Sequence, residues 1–167
     1  MNPFTVYGLQ LTDLIVIALM IAVAAVDCKK RIIPDSLVLG VALTALLDLI
    51  LKPEKTWLAL LWGGIAGFGA LALPALLYRM AKKRDGLGMG DLKFAAALGL
   101  WLSWLDILVT LWLASLAGAA VGLIGLRLGK LHRHSKLPFG LFISAAAIIW
   151  LIITTNFTLD AVSLIVY

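Results

Sequence analysis

Charge is scarce in this 167-residue chain: 14% of its residues are charged, and glutamate occurs once, at Glu54. A soluble domain carries about 25% charged residues. Cysteine also occurs once, at Cys28, which excludes an internal disulfide and any multi-cysteine zinc module. Histidine is confined to His132 and His134. That His-x-His pair has no evident third ligand, so it reads as part of a solvated basic loop, and no metal is expected. Long polar stretches are missing as well. Residues 1–167 therefore read as one domain. What fills the chain instead is apolar: 63% of residues are hydrophobic and the mean hydropathy is +1.07. Such a composition excludes a disordered chain and an ordinary cytosolic globule, and leaves an integral membrane protein.

A helix that crosses a bilayer needs about 20 apolar residues. The apolar runs predict about six spans, over 9–26, 36–51, 57–78, 92–104, 107–126 and 137–153. The third contains Pro74, a potential kink, and the fourth is short. A last apolar piece, 159–167, is too short to cross and is expected at the interface. The fold expected is an all-α, polytopic membrane bundle.

Every Lys and Arg falls in the breaks between spans except Lys93, the second residue of the fourth span. Counted with the third break beside it, Lys93 brings the first, third and fifth breaks to twelve, against two, Lys52 and Lys55, in the second. The positive-inside rule then puts the odd breaks in the cytoplasm and both termini outside it. Nothing basic precedes Lys29, which argues against a cleaved signal peptide. The net charge of +5 is thus orientational, and no nucleic-acid partner is expected. The cluster RMAKKR (79–84) would also attract anionic lipid. Several of the six tryptophans, Trp57, Trp62, Trp101, Trp104, Trp112 and Trp150, sit near span ends and suit interfacial anchoring. Gly63/Gly67, Gly118/Gly122 and Gly125/Gly129 have the four-residue spacing of close helix contacts.

Carboxylates near a membrane are costly and each needs a reason. Asp13, Asp48, Glu54, Asp106 and Asp160 fall near outer span ends, where contact with water would suffice. Asp27, Asp35, Asp85 and Asp91 fall on the cytoplasmic side. Asp27 ends the first span and Asp91 opens the fourth, so antiparallel helices bring both to the same depth. Each alone reads as an interfacial acid beside a lysine such as Lys30 or Lys93. Gly86, Gly88 and Gly90 crowd the approach to Asp91. Glycine permits close backbone approach and positive φ, so an irregular or strand-like segment there could hold an extended peptide. Cys28 adjoins Asp27 but has no histidine base nearby in sequence, so it reads as a bystander rather than a nucleophile.

At these residues the sequence resembles the type IV prepilin peptidases, membrane aspartyl proteases with a Gly-x-Gly-Asp motif. Three segments carry the resemblance: DCKKRIIPD (27–35), GMGDLKFAAALG (88–99) and LPFGLFISAAA (137–147). It implies Asp27 and Asp91 as the catalytic pair. It implies Gly88 and Gly90 as shaping the second motif, Pro34 and Asp35 as setting the turn into the second helix, and Lys93, Pro138, Phe139 and Gly140 as motif or substrate-positioning residues. Long bacterial members carry a zinc-binding insertion with paired cysteines and are associated with N-methylation; here Cys28 stands alone, so a peptidase-only form is implied and methyltransferase activity is not expected. Lys29 stands where some members have a second acid. The implied substrate is a type IV prepilin or pseudopilin, cleaved at the cytoplasmic face of the inner membrane. Its short basic leader would meet Asp35 and Asp85. No cofactor is implied.

Two carboxylates held close cannot both ionise easily, so such a pair shares a proton and acts as one acid and one base. Two other functions fit the same composition: a small transporter or proton pathway, and a non-enzymatic assembly subunit of a pilus or secretion machine. Acids clustered at span ends, rather than mid-membrane, count against a relay.

Overall fold

Runs of Leu, Ala, Ile and Val become helices here because a bilayer offers no partner to an unpaired backbone group. The computed structural model describes residues 5–6, 9–52, 55–83, 87–129 and 137–166, with side chains described between 10 and 155. Those residues form six helices: α1 (Leu11–Lys30), α2 (Asp35–Leu51), α3 (Trp57–Lys82), α4 (Met89–Trp101), α5 (Trp104–Arg127) and α6 (Phe139–Val166). Helices α1, α3 and α5 are long and apolar enough to cross a membrane, and the apolar stretch Phe139–Thr155 of α6 is a shorter one. Helix α4 has 13 residues, about 20 Å at 1.5 Å per residue, less than the roughly 30 Å hydrocarbon core. The chain is a multi-pass membrane helical bundle.

Helix starts follow local capping. The Gln10 amide donates to the Asp13 carboxylate at 2.9 Å, Thr56 Oγ1 accepts from the Ala59 amide, and Ser103 Oγ accepts from the Asp106 amide. Helices consecutive in the chain alternate in direction, so the packed pairs α2–α4 and α3–α5 run parallel. α4 stands between α2 and α3, while α3 packs on α5, α5 on α6, α6 on α1 and α1 on α2. Phe94 and Leu98 of α4 are fully buried. α3 and α4 approach through glycine: a Cβ on Gly63 would overlap the Gly99 carbonyl, and one on Gly67 the Ala95 carbonyl. Gly118 and Gly122 face Phe142 and Leu137. Gly129 instead adopts φ +67° just beyond α5 with open space around it, so it ends a helix rather than packing one.

A two-residue antiparallel ladder, Thr5–Val6 with Leu9–Gln10, precedes α1 and leaves the all-α bundle as expected. Several expectations are corrected. α6 runs unbroken to Val166, so residues 159–166 continue that helix instead of forming a separate piece. α4 begins at Met89, before the expected Leu92, which places Gly90 and Asp91 inside its first turn. Asp48 does not meet water: it is 0% exposed. Its Oδ2 accepts from Lys52 Nζ at 2.9 Å and from Lys55 Nζ at 2.8 Å, and Lys52 reaches on to Asp13 at 3.3 Å. Trp101 is buried, so it is held inside the bundle rather than anchoring it at an interface; Trp150, half-buried, donates from Nε1 to Asp106 at 2.9 Å. Glu54, Asp85, Gly86, His132 and His134 lie outside the described residues.

Candidate active site

Antiparallel packing brings four helix ends together: the end of α1 and the starts of α2, α4 and α6. Asp27 sits in the last turn of α1. It is 4% exposed, whereas the neighbouring Cys28 is exposed. The two side chains leave the helix in different directions, and only the carboxylate turns inward. Asp27 Oδ2 accepts the Leu141 amide of α6 at 3.2 Å. That amide belongs to the first turn of α6, where N–H groups lack helical partners and the helix dipole favours an anion.

Gly140 makes this docking possible. A Cβ there would lie 3.0 Å from Asp27 Oδ2 and 2.8 Å from Ile33 Cδ1. Arg31 closes α1 in a left-handed conformation (φ 53°), with its amide on the Asp27 carbonyl at 2.9 Å, and swings the chain back over the bundle. Ile33 is then buried beneath the turn. Its Cβ would be 3.4 Å from a Cβ on Gly90, so this one side chain bridges the α4 and α6 motifs. Pro34 is the N-cap of α2 and Asp35 opens that helix.

On the α4 side, Gly88 is the N-cap, with its carbonyl accepting the Asp91 amide at 3.1 Å. A Cβ on Gly88 would come within 3.1 Å of Asp91 Oδ2, so the bare glycine leaves the carboxylate room to lie back over the helix start. Neither Gly88 nor Gly90 has positive φ. Their use is close approach: Gly88 is extended, in keeping with the irregular segment expected there, and the helix begins at Met89, so Gly90 is already helical. Asp91 is partly buried and within electrostatic reach of Asp27. Lys93, also on α4, holds both oxygens of Asp35 at 2.9 and 3.1 Å on the exposed rim. Asp35 is thus already paired with a lysine, which weakens its expected availability to a basic leader. Pro138 precedes α6, and Phe139 packs at the edge of the core.

The sequence profile of the type IV leader peptidase family matches residues 14–123. The chain belongs to the type IV leader peptidase family. Among curated family relatives, a prepilin leader peptidase/N-methyltransferase of Burkholderia pseudomallei is 34% identical over 142 residues, covering 85% of this chain and 46% of that protein. One of Stutzerimonas stutzeri is 32% identical over 137 residues, covering 78% of this chain and 46% of that protein. The leader peptidase HopD of Escherichia coli is 34% identical over 125 residues, covering 74% of this chain and 80% of HopD. The chain spans about half the length of the two former relatives. No solved structure matches it. The matched region contains Asp27, Ile33, Gly88, Gly90 and Asp91, but ends before the Gly140 turn of α6.

Within this leader peptidase family member, Ile33 and the Leu141 amide were not legible as parts of the site. For Ile33 the available signal was an apolar pair inside the polar run KKRIIPD; Ile32 is 67% exposed and Ile33 only 6%. A backbone amide leaves no trace in a side-chain motif. Among the described residues, no cluster of three or more His, Cys, Asp or Glu could hold a metal.

Proposed function

We propose that this chain is a membrane aspartyl endopeptidase that removes the short basic leader of type IV prepilin-like proteins. The observation that carries the reading is the convergence of Asp27 and Asp91 from separate helices, one of them buried against a helix N-terminus. Family membership and the names of the relatives point the same way.

In the proposed reaction one carboxylate of the pair is ionised and the other protonated. The ionised one takes a proton from water, and the protonated one hydrogen-bonds the scissile carbonyl. Water oxygen bonds to the carbonyl carbon, and the tetrahedral intermediate collapses as the C–N bond breaks and the leaving amine gains a proton. Two acids and one water suffice for this step, so the reading requires no cofactor. The Leu141 amide orients Asp27 for its part in it.

The scissile bond would sit at the cytoplasmic boundary of the inner membrane, with the substrate's apolar helix in the bilayer. Supporting this sidedness, Lys29, Lys30, Arg31, Lys82 and Arg127 are exposed at the Asp27 end. Lys52 and Lys55, the two cations of the opposite end, are tied to buried Asp48. The test is cleavage of a prepilin-like substrate by purified protein in lipid. Asp27→Asn and Asp91→Asn should each lower turnover by at least about a thousandfold, to a residual rate, while remaining folded. Full turnover by either variant would remove the assignment.

A further inference from the structure

The buried ion cluster at the far end of the bundle ties together the helices that carry the two acids. Asp48 belongs to α2 and is 0% exposed. Lys52, which caps α2, bonds both Asp48 and Asp13 at the start of α1. Lys55 bonds Asp48 at 2.8 Å and donates to the Trp101 carbonyl, the last residue of α4, at 2.7 Å. Its ammonium also lies 5.9 Å from the centroid of the Trp101 ring. A cation on the terminal carbonyl of a helix is a favourable and directional contact.

α1 and α4 share few contacts of their own, and both pack on α2. α2 is therefore the strut between them. α4 also meets α3 through a glycine face on which Leu100 seats against Gly64, and its Phe94 and Leu98 are fully buried. These apolar contacts set the distances between helices. The hydrogen bond to the Trp101 carbonyl adds a directional restraint on register at the end of α4. At the other end, the Lys93–Asp35 pair also links α4 to α2, but it is solvent-exposed and correspondingly weak.

We propose that Lys55 is a positioning residue: through Asp48 and the Trp101 carbonyl it fixes the register of α4 on α2 and hence the placement of Asp91 against Asp27. The kinetic consequence rests on the proteolytic reading above; the geometric one does not. Lys55→Met is the suitable perturbation, because Asp48 keeps Lys52 and no buried charge loses all its partners. Lys55→Gln serves if the methionine variant does not fold.

Two readouts decide it. Spin labels on native Cys28 and on Met89→Cys, both exposed, report the spacing between the end of α1 and the start of α4 in lipid. Cleavage kinetics of the unlabelled protein report the reaction. Lys55→Met should widen or shift the distance distribution and lower kcat by about tenfold with KM within about twofold. Lys55→Arg should restore both. An unchanged distance distribution overturns the proposal whatever the rate does. So does a changed distance with an unchanged kcat, or a loss of rate that only tracks the loss of folded protein. If the chain cleaves no prepilin at all, the distance measurement alone still decides the geometric claim.

Discussion

Placing a methyl group on Gly140 sets the packing of α6 against the position of Asp27. The new carbon would lie 3.0 Å from Asp27 Oδ2, 3.2 Å from its Cγ and 2.8 Å from Ile33 Cδ1. Ile33 can yield, because the clash is with the tip of its side chain. Asp27 cannot move without stretching its 3.2 Å bond from the Leu141 amide. Overpacking a tight core costs about 1–3 kcal/mol, and a hydrogen bond to a charged group contributes about 1.5–3 kcal/mol. If about 1.4–2.7 kcal/mol of this is lost in the transition state, kcat falls roughly 10- to 100-fold. The assay is leader cleavage in lipid, with thermal unfolding followed in parallel. Gly69→Ala is the control, because nothing lies within 4 Å of a Cβ there. Wild-type cleavage by Gly140→Ala would refute the claim that α6 holds Asp27.

Gly63→Ala should lower the unfolding temperature sharply, since its methyl overlaps the Gly99 carbonyl and neither backbone can yield cheaply; Gly69→Ala should leave it unchanged or raised. Asp48→Asn should destabilise the bundle by about 1.5–3 kcal/mol, because two lysines lose a charged acceptor while Lys52 keeps Asp13 and Lys55 keeps the Trp101 carbonyl; denaturant titration in detergent measures it. Asp35→Asn should cost less than about 1 kcal/mol, since the Lys93 pair is exposed, and the loss should shrink further in high salt.

The spans were legible because apolar runs and polar breaks report the bilayer directly. The boundaries of α4 were not. Gly88 and Gly90 read as irregular backbone, whereas buried contact with Ile33 lets the helix start at Met89. Asp27 and Asp91 stood out as acids at equal depth, and the topology brings them together. Asp48, Lys52 and Lys55 looked like ordinary residues at a wet span end. Their burial depends on Asp13 and the Trp101 carbonyl, which are distant in sequence. Gly129 had the spacing of a helix contact, but it lies just beyond α5 in a left-handed conformation with nothing within 4 Å of a Cβ there. Motif and spacing thus reveal which residues share a face, while partners from other helices decide what that face does.

The central claim is that Asp27 and Asp91 serve one hydrolytic water. A double-mutant cycle on leader cleavage tests it most directly, using Asp27→Asn, Asp91→Asn and the combined variant at equal folded concentration. Groups that act as a unit are grossly non-additive, so the double variant should be no slower than either single one. Losses that multiply, or a single variant that turns over like the wild type, would contradict the account.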